Sequence, residues 1–169
     1  TVDVAQTSDP HSFTSSPLAD GSDWYCHIRS CDTGGSCADP VHLGPFSLEQ
    51  TAPSNPTVES TSHQPNWWSP DNKIDMEWQG ASDAGSGLAG YSFEFSTSSD
   101  TSPDTTVDQA HSTDPHSTTS AVLADGPSHW FHLRTCDEAG VCSAAVHLGP
   151  YKIDTENPTA PTVSNSSHT

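Results

Sequence analysis

Basic residues are almost absent from this sequence. The 169 residues include four Lys and Arg residues against 22 Asp and Glu residues, which gives a formal net charge of −18 at pH 7. Because contacts to nucleic-acid phosphates need a basic surface, this composition excludes nucleic acid as a partner. The negative charge can be offset by salt that screens it or by cations with oxygen ligands. A solvated acidic surface and a cation-binding surface both fit the composition.

Long apolar runs and helical periodicity are also missing. Apolar residues make up 31% of the sequence, and no stretch of them is long enough to predict a transmembrane segment. No segment of helical length has apolar residues spaced three and four apart, so we predict no helix. Ser, Thr, Pro and Gly are abundant, which favours short strands joined by turns.

The sequence repeats itself with an offset of 105 residues, which places Thr106 over Thr1. Ungapped matches join TVDVAQTSDPHS to TVDQAHSTDPHS, YCHIRSCDTGGSC to WFHLRTCDEAGVC and VHLGPFSLE to VHLGPYKID. This period is too long for a solenoid repeat and has the size of one β-sandwich domain. We expect residues 1–51 to be the second half of one domain, 52–155 a complete domain and 156–169 the first strand of a third. We also expect further copies on both sides.

Apolar and polar residues alternate in the complete domain, which predicts half-buried antiparallel strands. The residues expected to face inward are Ile74, Met76, Trp78, Tyr91, Phe93, Phe95, Phe131 and Leu133. Turn sequences such as SPDN, SDAGSG, LADG and DEAG separate these segments. About seven short strands at this spacing predict an all-β sandwich.

The order of these features resembles fibronectin type III domains and related bacterial immunoglobulin-like domains. The resemblance rests on Trp78 in the second strand, the strand GYSFEF, Leu123 before ADG and the strand HWFHLRTCDEAG. It implies tandem Greek-key β-sandwiches used as spacers, adhesin stalks or binding modules. The tail GPYKIDTENPTAP is similar to the linkers between such domains in large bacterial surface proteins. A Cys pair in the last hairpin departs from the fibronectin type III pattern.

Two Cys pairs occupy equivalent positions in the two repeats. The pairs are Cys31 with Cys37 and Cys136 with Cys142. Their recurrence predicts a disulfide in each hairpin and an extracellular compartment, whereas a metal site would need more soft ligands nearby. Cys26 is left over and aligns with the inward position of Phe131, so we expect a buried free thiol. An intermolecular disulfide is the alternative for Cys26.

Acidic residues are concentrated in the loops that sandwich topology should place at domain ends. One end carries SDAGSG and CDEAGVC, and the other carries LADG and the linker IDTENPTAP, which is similar to the calcium-binding linkers of cadherin-type repeats. We therefore expect Ca²⁺ at the domain junctions, since Ca²⁺ takes six to eight oxygen ligands. The candidate ligands are Asp20, Glu49, Asp83, Asp137 and Glu138, with Asp125, Asp154 and Glu156 at the next junction. Hydrated acids that cap turns are the alternative.

Aromatic and histidine residues offer weaker indications. Trp67 and Trp68 in PNWWSPDN predict either a glycan-binding platform or packing across a domain boundary. Four histidines recur in DPHS and VHLGP, and we expect them on outward strand positions or in turns rather than at a zinc site. They are His11, His42, His116 and His147. The patterns HExxH and GxSxG of zinc peptidases and serine hydrolases are absent from the sequence.

These observations predict a secreted structural protein and not an enzyme. Head-to-tail domains would form an extracellular filament or cell-surface stalk, stiffened by Ca²⁺ at the junctions and associating with further copies of the repeat. An adhesin or glycan-binding module is the alternative, and spacer domains of a secreted enzyme are a third interpretation.

Overall fold

The computed structural model describes Ala5 and residues 10–164, and the chain divides into two compact units, 1–51 and 52–169. The described residues form strands, turns and loops without a helix, so the prediction of an all-β chain is confirmed. None of them belongs to a helix that could cross a membrane. Residues 156–164 form no strand, and the rest of the predicted first strand of a further repeat, 165–169, lies outside the described residues.

The first unit is an antiparallel hairpin of β1 (Gly21–Ile28) and β2 (Val41–Leu48). A disulfide joins Cys31 to Cys37 in the turn between them, as the sequence predicts. The described part of this unit contains no facing sheet, so apolar residues such as Leu43 and Phe46 are exposed. Cys26 is exposed for the same reason, and the expectation of a buried thiol is wrong.

The second unit consists of two antiparallel sheets with one short parallel pairing. Its strands are β3 (Thr57–Ser60), β4 (Trp68–Ser69), β5 (Asp75–Gln79), β6 (Leu88–Ser96), β7 (Gln109–Ala110), β8 (His116–Thr119), β9 (Gly126–Asp137) and β10 (Val146–Ile153). The larger sheet has the order β4-β10-β9-β6-β7, and the smaller has the order β3-β5-β8. Strand β4 pairs parallel with β10 at the edge of the larger sheet.

Aromatic side chains fill the space between the two sheets. The ring of Trp78, on β5, lies 5.6 Å from the ring of Tyr91 on β6 and 5.9 Å from that of Phe131 on β9. Ile74 and Met76 are buried beside them, so the alternating pattern predicted these faces correctly. Fully burying a large apolar side chain contributes about 1.5–3 kcal/mol, so this cluster holds the two layers together.

The larger sheet also has buried residues on the face turned away from the aromatic core, where the alternating pattern predicts exposure. His132 alternates with Phe131 and faces away from the core, yet it is completely buried. Its Nε2 atom lies 2.9 Å from Oγ of Ser96, and the Arg134 guanidinium donates to the carbonyl of Pro103 at 3.2 Å. The end of β6 and the segment after it therefore cover this face, and a strand pattern alone cannot predict such long-range contacts.

The hairpins β1–β2 and β9–β10 have the same internal geometry. Their strand pairing is in the same register at the offset of 105 residues, and each contains a cis Gly-Pro peptide bond at the same place in its second strand. The matched pairs are Cys26–Leu43 with Phe131–Leu148, His27–His42 with His132–His147, and Ile28–Val41 with Leu133–Val146. The second hairpin also carries the predicted disulfide, between Cys136 and Cys142.

Candidate cation-binding sites

Two loops of the second unit meet beside the disulfide of the β9–β10 hairpin. The backbone N–H of Glu138 donates to the carbonyl of Gly87 at 2.9 Å, and that of Ala139 donates to Oγ of Ser86 at 3.1 Å. These are the loops SDAGSG and CDEAGVC, which the sequence places at one end of the sandwich. Asp83 and Asp137 belong to these loops, and their carboxylate oxygens lie within 4.8 Å of each other.

Of these two aspartates, Asp137 is the buried one. It is 2% exposed, and its Oδ1 atom accepts a hydrogen bond from the N–H of Val141 at 2.8 Å. Its Oδ2 atom is buried and has no hydrogen-bond partner among the described residues. A buried carboxylate oxygen without a partner costs free energy, and a cation would supply the missing partner.

Asp83 is held by its own loop. Its Oδ2 atom accepts hydrogen bonds from the N–H groups of Gly85 at 3.0 Å and Gly87 at 2.8 Å. These two bonds fix the carboxylate in the loop that touches the β9–β10 turn. A fixed carboxylate facing a buried one repels it, and a divalent cation between them would reverse the sign of that interaction.

Asp20 and Asp125 hold the chain where it leaves each hairpin. Asp20 accepts hydrogen bonds from the N–H of Gln50 at 2.9 Å and from Oγ1 of Thr51 at 2.5 Å. The bond from Thr51 is the main reason why the pKa of Asp20 lies below its usual value. Asp125 accepts in the same way from the N–H and hydroxyl of Thr155. Both carboxylates therefore act as caps within their own units.

The remaining predicted ligands lie at strand ends and turns. Glu49 directly follows β2, and the side chain of Glu138 is exposed on the β9–β10 turn. Asp154 accepts a hydrogen bond from the N–H of Glu156 at 3.1 Å, and both residues are exposed. That acidic residues of adjacent domains come together at each domain junction stays a prediction.

The two adjacent tryptophans lie at the surface of the second unit. Trp67 is 69% exposed and Trp68 is 58% exposed. They border an open cleft with Ser62 and His63, and the Lys152 ammonium lies 5.9 Å from the centre of the Trp68 ring. Exposed indole faces of this kind can stack against apolar faces of a ligand.

A histidine–aspartate cluster escaped the sequence reasoning. Potential ligand atoms of His111, Asp114 and His116 all lie within 4.8 Å of one another. His116 is 2% exposed and packs on Trp78, so its predicted outward position is wrong, whereas His11, His42 and His147 are exposed as expected. The spacing HSTDPH, with three potential ligands within six residues of one loop, is the feature that could have identified the cluster.

Comparison with known proteins gives no relative for this chain. No family model, curated protein or solved structure matches it. The resemblance to fibronectin type III and immunoglobulin-like domains therefore stays a prediction.

Proposed function

We propose that this chain is a structural repeat of an extracellular filament or surface stalk built from head-to-tail β-sandwich domains. The observation that carries the proposal is the pair of hairpins with the same register, disulfide, Gly-Pro position and His pair, 105 residues apart. Hairpins that share all these features are expected when one domain is repeated along a chain. The two disulfides fit an oxidising, extracellular compartment.

The connection of the sheets in the second unit supports a Greek-key sandwich of the fibronectin type III or immunoglobulin-like kind. In chain order the described strands pass between the smaller and the larger sheet five times, at β3–β4, β4–β5, β5–β6, β7–β8 and β8–β9. Repeated crossing between two facing sheets is typical of these sandwiches. Such domains bear load or act as spacers through the rigidity of the fold, and this role requires no catalytic group.

Calcium is the proposed stabiliser of the acidic end of each domain. The buried, unpartnered Oδ2 atom of Asp137 beside the fixed carboxylate of Asp83 supports a hard cation there. Acids from the linkers, such as Glu49 and Asp154, would complete the coordination at domain junctions. A ligated linker hinges less than a free one, so Ca²⁺ would turn a flexible string of domains into a rod.

Thermal unfolding with Ca²⁺ and with chelator, at matched ionic strength, tests the cation. At a Ca²⁺ concentration of about 100 times the Kd, linkage predicts a gain of about 2.7 kcal/mol, or roughly 10 °C in Tm. The gain should disappear in Asp83→Asn with Asp137→Asn and persist in Asp104→Asn, which removes one charge from an exposed turn. Equal midpoints in Ca²⁺ and chelator for the unchanged chain would refute the calcium site.

Small-angle X-ray scattering tests the filament. Chains that contain two, three and four consecutive repeats should increase in maximum dimension in proportion to the number of repeats. Chelator should shorten them if Ca²⁺ stiffens the junctions. Maximum dimensions that hardly grow with repeat number would contradict a stalk or filament.

The exposed Trp67 and Trp68 support a second candidate, a glycan-binding module. Two adjacent indoles beside an open cleft provide a stacking surface for sugar rings. A glycan array tests this candidate. Binding that is lost in Trp67→Ala but kept in Val122→Ala, a control at an equally exposed apolar residue, would favour this function. An array without any bound glycan would leave the filament as the better proposal.

A further inference from the structure

We propose that His111, Asp114 and His116 form a binding site for a transition-metal ion, with Zn²⁺ the best match. The site lies in the second unit and is independent of the calcium proposal, since it uses none of the acidic loop residues. It joins three side chains from one stretch of chain, two in the connection between β7 and β8 and one at the first residue of β8.

The spacing of the ligand atoms suits a small ion. The Nε2 atom of His116 lies 3.5 Å from Oδ1 of Asp114, and a ligand atom of His111 lies within 4.8 Å of both. Zinc bonds to nitrogen and carboxylate oxygen are about 2.0–2.2 Å long, which separates the ligands of a tetrahedral ion by roughly 3.4 Å. Asp114 and His116 already have this separation, and His111 needs only a side-chain adjustment.

Neighbouring groups hold the ligands in the required orientation. The second oxygen of Asp114, Oδ2, accepts a hydrogen bond from the N–H of Gly80 at 2.8 Å, which leaves Oδ1 facing His116. The Tyr91 hydroxyl lies 3.3 Å from Nδ1 of His111, which leaves Nε2 of that ring for a metal. Asp114 and His111 thus each have a hydrogen bond on the side away from the proposed ion, and bonds of this kind orient metal-binding side chains in proteins.

His116 is fixed mainly by packing. Its Nε2 atom accepts a long hydrogen bond, 3.4 Å, from the N–H of Ser112, which a bound ion would replace. Its ring stacks on Trp78 with an angle of 17° between the planes, and its centre lies 4.9 Å from that of Tyr91. The buried imidazole, the Asp114 carboxylate and the second imidazole supply three of the four ligands of a tetrahedral ion. Water can complete the sphere from the solvent side, because Asp114 remains 34% exposed.

The ligand set selects the class of metal. Two imidazoles and one carboxylate suit Zn²⁺, Cu²⁺, Ni²⁺ or Co²⁺, whereas Ca²⁺ and Mg²⁺ prefer oxygen ligands alone. The position in the fold indicates what the ion would do. His111 follows β7, an edge strand of the larger sheet, and His116 begins β8, an edge strand of the smaller sheet. A bound ion would therefore clamp the crossover between the two layers.

The first repeat provides a natural control for the ligand set. At the offset of 105 residues, Asp114 and His116 align with Asp9 and His11, but His111 aligns with Gln6. The change His111→Gln therefore installs a residue that already occurs at the matching position of the other repeat. It should remove one ligand from the exposed part of the site without altering the core.

Isothermal titration with Zn²⁺ at pH 7.5, on the full chain and its variants, tests the proposal. We expect one tight equivalent in the unchanged chain and a loss of at least about 100-fold in affinity in His111→Gln and in Asp114→Asn. Tyr91→Phe should weaken binding about 10-fold, because it removes only the orienting hydroxyl. His11→Gln should bind as the unchanged chain does.

Cobalt substitution gives a readout that nonspecific binding would not reproduce. Co²⁺ bound by two imidazoles and a carboxylate should give visible d–d absorption bands that disappear in His111→Gln. The calcium variant Asp83→Asn with Asp137→Asn should keep both the bands and the zinc affinity. Absence of tight binding in the unchanged chain, or a tight equivalent that survives His111→Gln, would overturn the proposal. In that case the cluster is a hydrogen-bonded acid–imidazole group.

Discussion

The Nδ1 atoms of His132 and His147 lie 2.6 Å apart across the register pair that joins β9 to β10. A hydrogen bond between two imidazoles requires one nitrogen to donate and the other to be unprotonated. His27 and His42 have the same 2.6 Å separation in the first hairpin. The pair therefore tolerates at most one proton between the facing nitrogens, and its recurrence makes it a feature of the repeat.

Acid should destabilise the second unit through this pair. Burial, and then the neighbouring His147, lowers the pKa of His132 from its usual value of 6.5. Below about pH 6.5 the unfolded chain binds more protons at this position than the folded chain, so stability falls as the pH is lowered through that value. Urea unfolding between pH 5 and 7.5 should give a smaller pH dependence in His132→Gln. The exposed His11→Gln should keep the dependence of the unchanged chain.

Gly149 should not tolerate a side chain. Its φ is +146°, and a Cβ atom would lie 2.7 Å from the carbonyl oxygen of His129. Gly149→Ala must therefore move the backbone of β9 as well as adopt a strained φ, and we expect a loss well above about 1 kcal/mol in unfolding free energy. Gly140 also has a positive φ, +86°, but has open space around its Cβ position. Gly140→Ala should cost only the backbone strain, about 1 kcal/mol.

The Cys136–Cys142 disulfide should stabilise the second unit modestly. Cys136 and Cys142 close a short loop, for which the chain-entropy relation predicts about 2 kcal/mol. Replacing both by Ser should lower the urea midpoint by the corresponding amount under nonreducing conditions. Reductant should lower the midpoint of the unchanged chain to a similar extent. A double variant as stable as the unchanged chain would contradict this estimate.

Cys26 should react in the folded chain. It is exposed, whereas the other four cysteines are disulfide bonded. A chromogenic disulfide reagent should therefore titrate one thiol per chain without denaturant, and none in Cys26→Ser. Reaction only after unfolding would mean that the thiol is covered in solution.

The inward faces of the strands were predictable because period-two alternation reports directly on burial against a facing sheet. Ile74, Met76 and Trp78 follow this rule. His132 and His116 do not, since Ser96 at the end of β6 contacts the ring of His132 and His116 packs on Trp78. These contacts join residues far apart in the chain, and local pattern carries no information about them.

The candidate sites were predictable to different degrees for a similar reason. Asp83 and Asp137 are brought together by sandwich topology, which the strand order already implies. The grouping of His111 with Asp114 and His116 depends on the exact path of the loop between β7 and β8. The exposure of Cys26 depends on the absence of a facing sheet from the described part of its unit, which alignment with Phe131 could not indicate.

The edges of the larger sheet are formed by β4 and β7, each only two residues long. Beyond β7, the Asp108 carboxylate accepts a hydrogen bond from the N–H of Phe93 at 2.8 Å, so part of the rim of β6 is occupied by a side chain. Short, capped edges discourage strand exchange between molecules. Molecules with this sandwich would therefore exchange strands less readily through the larger sheet. At this sheet, contacts between neighbouring molecules would then involve loops and the sheet face rather than backbone pairing.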